Sequence, residues 1–492
     1  MVDYAVLGCY LGIVVWFGLR LGRGQRTVTS YLLGDRNLPW LAVLGSIIAT
    51  ETSSVTFLSI PGLAFANGGP GFLFLQLTVG YILGRLLVVG LFLPSYFSGT
   101  LFTAYQVLEE RFGGTVKSLA SGLFLVMRNL ADGLRLYLTA IVLKQFLGWD
   151  LAGAILLIAV ATTVYTYYGG LRSVVWNDCL QLGVYLLGAL ITLFIIAGRI
   201  GIAAGNSQLP VAAGLGSILS YGYESQRFQF WDASVTWVRP YTIWAGIFGG
   251  TFIALATHGT DQLMVQRYLA ARGLREASLA LALSGPLVAA QFALFLFVGV
   301  ALAAYCRFFP AAVTVSSPDA ALAYFVAHEL PAGISGLVIA AVLAAAMSTL
   351  SSSLSASASA AVNDFCLKLY PGLQADPTRL LRLSRAITVI FACVQTGVAI
   401  SGPYWTRTVV ENVMAIATLT SGLTLGIFLL AVLCPRAGQR AALWGFSVGC
   451  IAELLAVWVF QVSWPWYAAV GALAVLGGGF VTSRIASLLF RR

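Results

Sequence analysis

Charge is scarce in this chain: Asp, Glu, Lys and Arg make up 9% of 492 residues, and there are two histidines. A soluble domain of this length needs a far more charged surface, so the scarcity excludes one. Seven cysteines are scattered through apolar segments, with no CxxC pair and no histidine at ligand spacing. That argues against a disulfide framework or a thiolate–imidazole metal centre and predicts small buried hydrophobes instead. No nucleophile–base pair is evident, so an enzyme is not expected. A cleavable leader is not expected either, because the first apolar stretch ends at Arg20 and Arg23 rather than at a small-residue cleavage site. It reads as an extra N-terminal helix.

What the chain has is apolar length. It is 59% hydrophobic, with a mean hydropathy of +0.89. Stretches long enough to cross a bilayer as helices, about 20 residues each, recur from Tyr4 to Phe490. They predict an all-α, polytopic membrane protein with about thirteen transmembrane helices. The expected spans are 3–22, 38–65, 71–97, 117–147, 150–169, 177–200, 241–269, 277–306, 331–363, 383–402, 408–434, 440–461 and 465–489. The outer connection from Gly201 to Arg239 is polar and aromatic and is expected to be a partly structured loop or lid.

The net charge of +10 is a statement about orientation. With Met1 placed outside, 19 of the 28 Lys and Arg residues fall on inner loops, among them Arg267, Arg491 and Arg492. Six, including Arg407, fall on outer loops, and Arg85, Arg128 and Arg135 fall inside spans. The asymmetry predicts an outside N-terminus and a cytoplasmic C-terminus. It also accounts for the basic balance without nucleic-acid binding.

Against this background, polar residues inside spans are informative. The segment 46–62, SIIATETSSVTFLSIPG, carries Glu51 and seven hydroxyl residues and is expected to break at Pro61-Gly62. Intramembrane polar groups face a bundle interior or a watery cavity. An interrupted helix frees carbonyls, here near Ala49, that can hold a cation. In the second half, Gly249-Gly250 and Gly259 are the matching breaks, and paired breaks point to inverted repeats around a midplane site. The units would be 38–200 and 241–434, preceded by an N-terminal helix and loop at 1–37 and followed by C-terminal helices at 440–492.

A second polar run, Ala345 to Ser355, is dense in hydroxyls, and Ser348, Ser351, Ser352 and Ser355 share one helical face. Two readings stand: close helix packing, or oxygen ligands for a hard cation. Asp178 lies at the inner start of a span, where it would either pair with Arg172 or serve an ion. Arg128 and Asp132 are spaced for an i,i+4 ion pair. His258 is either a hydrogen-bonded interior residue or a proton or substrate group.

The chain resembles the sodium:solute symporter family over essentially its whole length. The motifs that carry the likeness are 46–62, YGGLRSVVWNDCLQ at 168–181, THGTDQLMVQRYLA at 257–270 and AAAMSTLSSSLSASAS at 344–359. The first and last look most like bacterial sialic acid carriers. The resemblance implies a LeuT-type 5+5 inverted repeat with flanking helices and alternating access. It implies a first Na⁺ site from Ala49, Thr52, Ala345, Ser348 and Thr349, and a possible second from Asp178, Ser348, Ser351 and Ser352. Substrate candidates by position are Glu51, Ser53, Thr56, Gln76 and Asp261. The arginine that holds the carboxylate in sialic acid carriers would align with Ala131, with Arg128 and Arg135 on different faces nearby.

The reading is therefore a sodium-coupled importer of a small polar organic solute (a sugar, sugar acid, carboxylate or amino compound), using one or two Na⁺. Its location would be a bacterial inner membrane, with lipid but no nucleic acid or obligate protein as partner. Alternatives are proton coupling on the same fold through Glu51, Asp178 or His258, and a transporter-like solute sensor. A sensor would be expected to carry a signalling domain after Arg492.

Overall fold

The computed structural model describes residues 1–310, 313, 315, 317–405 and 407–489; side chains at 145–147, 407–418, 486, 487 and 489 lie outside the description, as do Arg491 and Arg492. The long elements are α1 (Val2–Leu21), α2 (Trp40–Glu51), α3 (Ser54–Phe65), α4 (Gln76–Leu91), α5 (Gly114–Leu147), α6 (Leu151–Ala203) and α7 (Pro210–Glu224). They continue with α8 (Gly250–Gly259), α9 (Gln262–Leu269), α10 (Leu274–Phe308), α11 (Ile334–Ala360), α12 (Pro377–Ser401), α13 (Arg407–Leu433), α14 (Gln439–Trp458) and α15 (Tyr467–Leu489). Among the described residues the only extended pairing is one isolated bridge between Leu38 and Ala271.

Among the described residues, eight helices qualify as spans by length and apolarity, and α2 with α3 form a ninth bent by 64°. Helix α6 has 53 residues, or about 80 Å at ~1.5 Å per residue, more than twice the bilayer core of about 30 Å. It turns at Gly170, with φ 50° and ψ −158°. A Cβ there would sit 2.4 Å from the Tyr31 carbonyl oxygen, so only glycine fits. This one helix thus contains the two spans expected at 150–169 and 177–200.

Burial orders the bundle. The most apolar stretch of the helix running through α11 is 89% buried, against 22% for α1. Helix α11 packs against α6, α5 and α12 and is the structural centre. Large apolar side chains such as Trp16, Leu87, Phe194, Ile390, Trp444 and Ile451 point outward, as a lipid-facing belt requires. Cys9 and Cys393 are also on this outer face and the other five cysteines are only partly covered, so none is the fully buried hydrophobe expected.

The first helix break differs in position from the expectation, and of the glycines expected to mark the second, Gly259 ends α8 while Gly249-Gly250 does not break it. The first falls at Thr52-Ser53, where ψ is 99° and 165°. Ser53 caps the new helix by accepting from the Thr56 amide. Pro61 lies inside α3, and its carbonyl is covered by α10 at Gly299, where a Cβ would come within 2.0 Å. The second break falls at Thr260-Asp261, and Asp261 caps α9 through the Leu263 amide. Gly249-Gly250 instead joins a short π-helix, Ala245–Gly249, to α8. These glycines serve close packing: Cβ atoms at 249 and 250 would each lie 2.6 Å from a carbonyl oxygen, of Pro465 and Leu77 respectively. Small polar residues that cap a new helix thus mark the breaks better than the nearby Pro and Gly do.

The connection after α6 is partly helical, as α7, and then irregular. The Arg227 guanidinium caps the C-terminus of α3, donating to the carbonyls of Phe65 and Ala66 at 2.9 and 2.8 Å.

Candidate ion and solute site

The end of α2 meets the middle of α11. The Ser348 hydroxyl donates toward the Ala49 carbonyl at 3.2 Å and its own-helix Ala345 carbonyl at 3.1 Å. The Thr349 hydroxyl lies 3.2 Å from the same Ala345 oxygen. Ala49 has no intrahelical partner four residues on, because the helix stops at Glu51. Two carbonyls and two hydroxyls therefore converge without a formal charge, the kind of oxygen set a hard monovalent cation takes. Thr52 is fully buried at the break, and its hydroxyl accepts from the Gln291 amide of α10. Gln291 also accepts from Tyr185 at 3.3 Å.

A second cluster lies deeper. Asp178 is fully buried within α6, while Arg172 is exposed. Asp178 Oδ2 accepts from Ser46 at 2.5 Å, Thr50 at 3.3 Å and Ser352 at 3.4 Å. Its ion-pair partner is Arg267, at 3.1 Å. Arg267 had been counted among the inner-loop charges, yet it is fully buried. Arg267 lies on α9, all eight residues of which are buried, so the charge sits inside the bundle and not in a loop. Of the serines the resemblance assigns to the second Na⁺, Ser352 joins Asp178, Ser348 faces the first cluster, and Ser351 bonds the Ser348 carbonyl at 3.2 Å.

The remaining hydroxyls of α11 pack helices together. Ser353 accepts from Gln395, Ser355 from Gln266 and Ser357 from Asn129. The packing reading of the serine run thus holds for these residues, while Ser348, Thr349 and Ser352 face the two oxygen clusters.

Beside the first cluster lies a cavity of about 360 Å³. Glu51, Ser53, Thr56, Asp261 and Thr349 line it, along with Tyr105, Phe124 and Trp464. Arg128, Ala131 and Arg135 line it together, from one face of α5, because positions i, i+3 and i+7 form a single stripe. The expectation that the two arginines occupy different faces is therefore corrected.

The cavity charges are paired. Glu51 bonds Arg85 of α4, which is fully buried. Arg128 bonds Asp261, and Asp132 lies between Arg135 and, at 3.8 Å, Arg128. His258 Nδ1 lies 3.0 Å from the Tyr268 hydroxyl and Nε2 lies 3.7 Å from Glu51. Gln76 stands apart from the cavity lining: its amide donates to the Tyr241 carbonyl at 3.0 Å and accepts from the Asp232 amide at 3.1 Å.

Broken helices, uncharged oxygen clusters and an adjoining polar cavity in a helical membrane bundle define a cation-coupled secondary transporter. Comparison with known proteins gives the same answer. The model of the sodium:solute symporter family matches residues 31–449, and the chain belongs to that family. It is 28% identical over 456 residues to human sodium-coupled monocarboxylate transporter 1, covering 91% of this chain and 72% of that one. It is 29% identical over 473 residues to the human sodium/iodide cotransporter, covering 93% and 69%. Among solved structures it superposes on a substrate-bound, outward-open Na⁺-coupled sialic acid symporter with a TM-score of 0.88 and 26% identity, covering 99% of this chain and 98% of that one. A nucleobase-cation-symport-1 family transporter shares the fold, with a TM-score of 0.61 at 14% identity. Members of this family are transporters rather than enzymes, and sodium is the coupling ion.

Proposed function

We propose that this protein imports a small polar organic solute through the cavity between α3, α5, α8 and α11, driven by sodium bound between α2 and α11. The observation that carries the reading is Thr349. Its hydroxyl belongs to the uncharged oxygen cluster with Ala49, Ala345 and Ser348, and the same residue lines the cavity. Sodium bound there would fix the α2–α11 contact and with it one wall of the solute site, as ligand-driven stabilisation of one conformation requires. Ala49, Thr52, Ala345, Ser348 and Thr349 are assigned to the first Na⁺, with Asp178 and Ser352 as the core of a second.

Glu51, Ser53, Thr56 and Asp261 are assigned to the solute. The arginine–carboxylate pairs around the cavity suit a compound that both donates and accepts hydrogen bonds, such as a sugar acid, hydroxy-carboxylate or amino compound. The relatives carry monocarboxylates or iodide, and the solved neighbour carries sialic acid. Proton coupling would need Glu51, Asp178 or His258 to exchange a proton freely, but each is engaged, by Arg85, Arg267 and Tyr268 respectively. We assign 38–200 and 241–434 to the two five-helix repeats. The distribution of Lys and Arg supports an external N-terminus and a cytoplasmic C-terminus in a plasma membrane, and the first and last motifs favour a bacterial one.

Uptake by proteoliposomes from a panel of those compounds, with and without a Na⁺ gradient, tests this reading. Accumulation of at least one that collapses when choline replaces Na⁺ is expected, and sodium-indifferent uptake would refute it.

A further inference from the structure

The Asp178 cluster already holds a cation. We propose that the Arg267 guanidinium is the resident cation of this site and that sodium and Arg267 occupy it alternately; the proposal rests on the assignment of Asp178 and Ser352 to a second sodium. Arg267 and Asp178 are both fully buried. Arg267 Nη2 donates to Asp178 Oδ2 at 3.1 Å, to Thr50 Oγ1 at 2.7 Å and to Ser352 Oγ, while Nε donates to Ser46 Oγ at 2.7 Å. Nη1 donates to the Leu263 carbonyl of its own helix. The oxygens that would coordinate sodium are therefore in contact with the guanidinium.

Charge makes the two occupants exclusive. Arg267 with Asp178 is a neutral buried pair. Sodium added among the same oxygens would leave a net positive charge with no water to screen it, and like charges at contact distance repel strongly in such surroundings. Sodium enters when the guanidinium withdraws, and Asp178 then has full coordinating capacity, since its Oδ1 has no hydrogen-bond partner among the described residues.

Withdrawal has a consequence for coupling. Arg267 is on α9, an eight-residue helix capped by Asp261. Asp261 lines the cavity and bonds Arg128. A helix this short moves as a unit, so exchange of Arg267 for sodium at one end shifts Asp261 at the other. The second sodium would thereby be linked to the solute by a rigid lever.

Equilibrium binding of isotopic Na⁺ to the purified full-length protein tests the proposal, comparing wild type with R267Q, R267K and D178N/R267Q. Freed from competition, the second site in R267Q should half-saturate at about tenfold lower Na⁺. R267K keeps a resident cation and should remain within about threefold of wild type. The double variant should lose the gain. Second-site affinity in R267Q equal to or weaker than wild type overturns the proposal, because Arg267 would then support the site instead of competing for it.

Hydrogen exchange on the wild type needs no variant. The backbone amides of 262–269 should exchange faster in Na⁺ than in choline, and equal exchange counts against withdrawal. Sodium-independent uptake by the wild type would defeat the functional reading as well, whereas sodium-dependent uptake with no gain in R267Q defeats only the alternation.

Discussion

Replacing Ser348 with alanine isolates the first sodium site with little disturbance of packing. The change removes one hydroxyl oxygen, which lies 3.2 Å from the Ala49 carbonyl and 3.1 Å from that of Ala345. The Ala345 carbonyl keeps the Thr349 hydroxyl as a donor, while the Ala49 carbonyl loses the Ser348 hydroxyl; the lost volume is that of a single oxygen, so stability should fall by no more than about 1–3 kcal/mol. A hydrogen-bond-like contact with a charge is worth about 1.5–3 kcal/mol, and each 1.4 kcal/mol is about tenfold in affinity. The Na⁺ concentration for half-activation should therefore rise by about 10–100-fold, with the maximal rate recovered at saturating Na⁺. Thr349→Ala removes an oxygen 3.2 Å from Ala345 and should show a similar rise. Because Thr349 also lines the cavity, that variant should need more solute as well. Thr349→Ser keeps the hydroxyl and should stay close to wild type in sodium activation. The assay is initial uptake in proteoliposomes as a function of external Na⁺ at fixed solute. Unchanged sodium activation in both alanine variants would refute the site.

Further outcomes follow from the buried charges. Asp178→Asn leaves Arg267 without its counter-ion; breaking a buried pair costs about 3–5 kcal/mol, so the melting temperature should fall, and the ion-to-solute ratio read from reversal potentials should drop. An unchanged ratio would remove Asp178 from the ion path. Glu51→Gln and Asp261→Asn, made singly, weaken the pairs with Arg85 and Arg128 and should raise the solute concentration for half-maximal uptake while sodium activation shifts much less; wild-type solute affinity in both would place the pocket elsewhere. Gln76→Ala removes two bonds to the outer segment at Tyr241 and Asp232 and should destabilise the protein by about 1–3 kcal/mol, expose that segment to limited proteolysis and leave solute affinity unchanged. A weakened solute affinity with intact stability would return Gln76 to the pocket.

Polar residues in apolar spans made much of this architecture legible in the sequence. Glu51 with its hydroxyl neighbours and the Ala345–Ser355 run stood out because lipid penalises both, and the structure brings Ala49, Ala345, Ser348 and Thr349 together. The breaks were less legible. Pro61 and Gly249-Gly250 are conspicuous letters, but tertiary packing holds both within helices, while the modest Thr52-Ser53 and Thr260-Asp261 pairs end them. The capping pattern was the available signal: Ser53 and Asp261 each accept from an amide of the helix that follows. Arg267 was misplaced for a different reason. Hydropathy treats an arginine near the end of an apolar stretch as a loop residue, and only the packing of the fully buried α9 shows that its partner is Asp178, 89 positions away in sequence. Long-range pairings of this kind leave no periodic trace.

The central claim is that sodium entry drives solute entry through this bundle. Proteoliposomes loaded with potassium, given valinomycin to set an inside-negative potential and supplied with the best-transported compound of the panel, test it directly. An inward Na⁺ gradient should drive uptake above equilibrium, and the extent should grow with the potential, since each charge moved inward adds about 2.3 kcal/mol at 100 mV. An inward proton gradient without Na⁺ should drive none. Equal accumulation under the proton gradient alone, or uptake that never exceeds equilibration under the Na⁺ gradient, would contradict the account.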